Sequence, residues 1–158
     1  MGKKNLGERI HYVPLIAAQH LAATTSTGGI NMGLFNQVDF IIQLGDLATA
    51  DFTVTVEECT ATGGTSNDAV AAEYRMSAAA ATDTMGAVTA LTTSGLALAN
   101  ATYDNMCMII TVDSDSLTDT HKYVRLTFTR GGSATAYMSV VAACHPRYQT
   151  ATPSASLT

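Results

Sequence analysis

The stretch Lys122-Tyr123-Val124-Arg125-Leu126-Thr127-Phe128-Thr129-Arg130-Gly131-Gly132-Ser133-Ala134-Thr135-Ala136-Tyr137-Met138-Ser139-Val140-Val141-Ala142-Ala143-Cys144 carries most of the fold information. In its first half Val124, Leu126 and Phe128 alternate with Arg125, Thr127 and Thr129. That period of two is the mark of a strand with one buried and one wetted face. The second half, Tyr137 to Cys144, is apolar on both faces apart from Ser139, which predicts a central strand within a sheet or between two layers. Between them Gly131-Gly132 predicts a β-hairpin, because glycine reaches the positive φ values that primed turns require.

Working outward, similar alternation recurs. Gln37 to Leu44 places Val38, Phe40, Ile42 and Leu44 on one face and Gln37, Asp39, Ile41 and Gln43 on the other, with Gly45-Asp46 as punctuation. Asp51 to Glu58 turns Phe52, Val54 and Val56 inward and Thr53, Thr55 and Glu57 outward. Met106 to Val112 repeats the pattern through Met108 and Ile110, and is followed by an Asp/Ser turn over residues 113–120. Weaker strands are expected over 71–77 and 87–91, with polar loops at 60–68 and around Ser94-Gly95. Tyr12 to Ala18 is extended, since Pro14 lacks an N–H and biases Val13 away from helix, and it fits an edge strand or a surface-hugging arm.

The chain thus divides into an N-terminal arm (1–18), a β-domain (19–148) and a flexible Thr/Ser/Ala/Pro-rich C-terminal tail (149–158). Its fold class is all-β: an antiparallel β-sandwich or jelly roll.

At 158 residues the chain fits one domain with a sizeable core. A net charge of −5 with scattered basic residues argues against nucleic-acid binding. Lys3, Lys4 and Arg9 form a small basic cluster at the N-terminus, but no apolar run follows to make a signal peptide. No stretch approaches the ~18 apolar residues of a membrane-spanning helix, so no membrane partner is expected. The odd set Cys59, Cys107 and Cys144 lacks C-x-x-C spacing and suits buried, reduced thiols.

Catalytic and metal patterns fail where they are sought. Asp113, Asp115 and Asp119 could offer oxygens to a cation, but an EF-hand starting at Asp113 requires Gly and Glu where Thr118 and Val124 stand. Cys144 and His145 are adjacent, and neighbours on a strand point to opposite faces. His11, His20, His121 and His145 are far apart in sequence and lack metal-ligand spacing. No G-x-S-x-G, phosphate-loop or H-E-x-x-H motif occurs. The sequence gives no positive sign of an enzyme, a cofactor or a metal.

Taken together, Phe40-Ile41-Ile42-Gln43-Leu44-Gly45, Phe52-Thr53-Val54-Thr55-Val56-Glu57, Tyr74-Arg75, Asp113-Ser114-Asp115-Ser116-Leu117, Tyr123-Val124-Arg125-Leu126 and Val140 to Tyr148 resemble the small structural proteins of tailed-bacteriophage heads, in particular capsid decoration (cement) proteins. The resemblance implies a non-enzymatic virion component on the capsid surface, made in the host cytoplasm, that binds the major capsid protein and stabilises the shell. It implies a homo-oligomer, with a trimer favoured, and transfers no catalytic residue. Tyr12, Val13, Leu15 and Ile16 of the arm are the candidate partner-binding residues, since extended arms can span a seam between subunits. A phage tail-tube, head-completion or fibre protein shares the composition, as does a jelly-roll major capsid subunit. A carbohydrate-binding β-sandwich is disfavoured by the absence of Trp and by only 6% aromatic residues.

Overall fold

A computed structural model describes residues 9–100 and 102–147. The expected flexible tail, Tyr148 and the first eight residues of the arm lie outside these described residues. The strands are β1 (His11–Leu21), β2 (Thr25–Ser26), β3 (Ile30–Asn31), β4 (Phe35–Ala48), β5 (Phe52–Cys59), β6 (Asp68–Ala69), β7 (Ala72–Met76), β8 (Thr89–Leu91), β9 (Leu96–Leu98), β10 (Cys107–Asp113), β11 (Tyr123–Arg130) and β12 (Thr135–Pro146). One turn of 3-10 helix, Ser114–Ser116, follows β10.

They form two antiparallel sheets packed face to face, the expected β-sandwich. Sheet A runs β1-β12-β4-β10-β7-β8, and sheet B runs β2-β11-β5-β6 with β3 also on β11 and β9 on β5. The pairs β1 with β12, β2 with β11, β4 with β10 and β5 with β6 nest one inside the next along the chain. A ribbon paired in this way and rolled over has the wiring of a jelly roll.

The two long C-terminal strands are present, but the hairpin expected between them is not. β11 lies in sheet B beside β5, while β12 lies in sheet A between β1 and β4. Gly131-Gly132 instead carries the chain across the core from one sheet to the other. The turn closes through Ala134 N–H donating to the Gly131 carbonyl (2.9 Å), with Gly132 at φ +51°. Arg130 Nε clamps it by donating to the Ala134 carbonyl at 2.7 Å. Gly131 is required by close approach: its N–H donates to Asp51 O (3.0 Å), and a Cβ there would stand 2.5 Å from that same oxygen. Local turn chemistry favours a reversal, and which strand lies beside β12 is decided by competition. Val124, Leu126 and Phe128 of β11 and Met138, Val140 and Ala142 of β12 belong to one core cluster, and all six are at most 3% exposed.

The inward alternation read from the sequence holds strand by strand. Val38, Phe40, Ile42 and Leu44 of β4 and Phe52, Val54 and Val56 of β5 are at most 1% exposed. In sheet A these pair in register with inward neighbours, Phe40 with Ile110 and Ala142, and Ile42 with Met108 and Val140. Gly45, expected to punctuate, lies inside β4: a Cβ on it would stand 3.0 Å from Tyr137 Cβ, opposite the irregularity between Ala136 and Met138. It is a bulge site, where a small residue lets two backbones approach. The short strand β9 falls in the loop expected after residue 91, and β6 straddles the end of the loop expected over 60–68.

Of the two forms expected for the extended N-terminal segment, the structure has the edge strand: residues 11–21 are one continuous strand at the edge of sheet A, running past residue 18. Val13 and Ile16 are 6% and 5% exposed and pair with Ala142 and Val140, so hydrophobic burial holds the segment on its own domain. Two register shifts, flanking Ile16, break up the edge.

Candidate functional site

The two sheets present very different outer faces. On sheet B the outward positions are Thr53, Thr55 and Glu57 of β5 opposite Thr129, Thr127 and Arg125 of β11. Arg125 binds Glu57 through Nε (2.9 Å) and Nη2 (2.8 Å), and Ser26 Oγ lies 2.9 Å from Thr127 Oγ1. Hydroxyls and a forked ion pair make this a polar face.

On sheet A an apolar row crosses four strands in register: Pro14 beside Val141, Val141 beside Ile41, and Ile41 beside Ile109. Pro14 is exposed and the other three are half-buried. Arg75 on β7 ends the row. The next row holds Tyr12, Ala143, Asp39, Thr111 and Glu73. Tyr12 and Tyr137, on this face, are 40% and 56% exposed, and His20 packs on Tyr137 with ring centroids 4.9 Å apart. An open sheet face with an apolar centre and aromatic and charged margins has the make-up of a protein-docking surface.

Of the four candidate partner-binding residues, only Tyr12 stands on this surface as an exposed side chain. Val13 and Ile16 belong to the core, and Leu15 is half-buried against it. Ile41, Ile109, Val141 and Tyr137 were not singled out from the sequence. Their signal was there: Ile41 is the one aliphatic residue on the polar side of Gln37-Asp39-Ile41-Gln43, and β12 is apolar on both sides.

Two polar clusters lie near the sheets. On the outer face of sheet A, Asp39 accepts from Thr111 Oγ1 (2.7 Å) and from His145 Nε2 (2.9 Å). Cys144 points the other way, into the core, as the strand geometry predicts. Burial, and secondarily the charge of Asp39, pushes its thiol up to about 12. A thiol held protonated is a poor nucleophile. Burial raises Cys59 and Cys107 as well; all three cysteines are free, and Cys107 is half-buried rather than buried.

The second cluster sits at the end of the sandwich. Glu58, 3% exposed, accepts from Thr118 N (2.7 Å) and Thr118 Oγ1 (3.0 Å). His121 Nδ1 is 2.7 Å from that hydroxyl, and its Nε2 is 2.9 Å from the Ser66 carbonyl oxygen and 3.7 Å from Asp68 Oδ2. Beside it lies an open pocket of about 170 Å³ lined by Met32, Leu117, Asp119, Lys122 and Arg147 among others. Among the described residues Glu58, Asp68 and His121 form the one group of three potential metal ligands, whereas Asp113, Asp115 and Asp119 do not converge. No family model matches the chain, and neither a curated protein nor a solved structure does.

Proposed function

We propose that the chain is a non-enzymatic structural protein of a bacteriophage head, which docks on the outside of the shell and strengthens it. The observation that carries this reading is the difference between its two faces: an apolar row Pro14–Val141–Ile41–Ile109 with exposed tyrosines on sheet A, against a hydroxyl-rich sheet B. The sequence resemblance supports the same reading. Sheet A is the face turned to the major capsid protein or to a sister copy in a homotrimer, and sheet B faces water. A protein that binds only assembled capsid adds its binding free energy to the lattice by mass action and opposes rupture of the shell.

The test is to pair Ile41→Lys with Ile109→Lys and measure occupancy on purified particles. Both side chains lie on the outer face, so the variant folds with a small loss of stability. At an interface centre two desolvated charges cost several kcal/mol, so occupancy falls at least tenfold at equal protein concentration. Unchanged occupancy removes sheet A from the interface.

A further inference from the structure

We infer that His121 Nε2, the Asp68 carboxylate and the Ser66 carbonyl oxygen form a site for a divalent transition-metal ion such as Zn²⁺, with Glu58 acting through Thr118 to aim the ring. A threonine hydroxyl has one hydrogen, and Glu58 Oε1, 3.0 Å from Thr118 Oγ1, is a carboxylate oxygen that accepts. The hydroxyl therefore donates to Glu58. His121 Nδ1, 2.7 Å from the same hydroxyl, must then carry a hydrogen and donate it.

In a neutral imidazole this leaves a lone pair on Nε2, which faces the Ser66 carbonyl oxygen at 2.9 Å and Asp68 Oδ2 at 3.7 Å. Three lone-pair-bearing atoms converge where only a positive centre satisfies them. That centre is either a second ring proton or a metal ion. The surroundings favour the metal. A ligating histidine characteristically donates its other ring N–H into a hydrogen-bonded relay ending on a carboxylate, and Thr118–Glu58 is such a relay.

The spacing also fits. Donor atoms about 2.0–2.2 Å from an ion stand roughly 3 to 3.5 Å apart, and the separations of 2.9 and 3.7 Å need only a small swing of Asp68. Its side chain is 74% exposed and free to make that swing, with water completing the shell. One imidazole with two oxygens suits Zn²⁺, Co²⁺ or Mn²⁺ better than the all-oxygen preference of Ca²⁺ or Mg²⁺. The ion would tie the 60–67 loop to the turn before β11 at one end of the sandwich.

The test uses the full chain stripped with EDTA and titrated with Zn²⁺ or Co²⁺. We expect a saturable rise in Tm, roughly 5 to 10 °C at a hundredfold excess over the dissociation constant. Co²⁺ should give one equivalent of visible absorption without a thiolate charge-transfer band. Asp68→Asn, at an exposed position, should keep the metal-free Tm within about 2 °C and weaken Zn²⁺ binding at least tenfold. Absence of both Tm rise and Co²⁺ band overturns the proposal and leaves the second ring proton in place. Equal binding by Asp68→Asn, or a thiolate band, places the metal elsewhere and overturns it too.

Discussion

Replacing Gly131 by Ala tests the close approach at the end of the β11–β5 ladder, where the chain leaves sheet B. The added Cβ would lie 2.5 Å from the Asp51 carbonyl oxygen, half an ångström inside the 3.0 Å that real contacts keep. The obstacle is backbone, so one connection must move away from the other. That movement stretches the 3.0 Å hydrogen bond from Gly131 N–H to the same oxygen. Overpacking of this kind costs about 1–3 kcal/mol, and a weakened hydrogen bond adds up to about 1 kcal/mol. Loss of unfolded-state entropy returns about 0.4–1 kcal/mol. The net is a destabilisation centred on roughly 2 kcal/mol, or about 4–8 °C in Tm for a chain of this size. Two controls set the scale. Gly132→Ala meets no atom within 4 Å but sits at φ +51°, a conformation that costs a Cβ about 1 kcal/mol. Gly63→Ala meets nothing within 4 Å and has no positive φ, so it should be neutral or slightly stabilising. Urea unfolding should rank Gly131→Ala below Gly132→Ala and both below Gly63→Ala. Arg130 pairs with Phe52, so Gly131 stands beside Asp51 at the end of the β11–β5 ladder; Gly131→Ala as stable as Gly63→Ala would refute that close approach.

Other consequences are open to measurement. Glu58→Ala leaves the Thr118 N–H without its buried carboxylate acceptor and should cost about 2–4 kcal/mol in urea unfolding, whereas Glu57→Ala, which breaks a partly exposed pair with Arg125, should cost about 1 kcal/mol or less. Cys144 is held protonated in the fold up to about 12, against an ordinary value of 9.0, so its contribution to stability is complete below about pH 9 and is lost as pH rises toward 12. The slope should approach about 1.4 kcal/mol per pH unit between those limits, and Cys144→Ala should flatten it in alkaline denaturant titrations. At pH 8 the native protein should react with iodoacetamide far more slowly at Cys144 than the urea-unfolded chain, as read by mass spectrometry; equal rates would contradict its burial.

The reach of sequence reading differs between levels of structure. Period-two alternation located β4, β5, β10 and β11 and the inward faces of β4 and β5, because burial of one side of a strand is written residue by residue, and an apolar run on both faces located β12. Pairing is not written that way. Gly131-Gly132 satisfies the chemistry of a hairpin turn, yet β12 found its neighbours in β1 and β4, more than eighty residues away in sequence for each. The same limit applies to β1, whose Pro14 and extended character suit an arm or an edge strand equally, and whose fate was set by the room Val13 and Ile16 find in the core. The outer face of sheet A was half-legible: Ile41 stood out among polar neighbours, but that Pro14, Val141 and Ile109 complete its row depends on register. The Glu58–Thr118–His121 cluster was hidden because its members are brought together from positions 58, 118 and 121 by long-range packing, with none of the short spacings that metal motifs carry.

We propose that this protein is a shell component seated by the outer face of sheet A. Cryo-electron imaging of purified particles, with the copy number quantified in the same preparation, tests it most directly. Hundreds of copies on the outer shell, with Tyr12, Ile41, Ile109 and Val141 buried against capsid or a sister copy and the threonine face of sheet B in water, is the predicted result. A few copies at one vertex or along the tail, none at all, or docking through sheet B would contradict it.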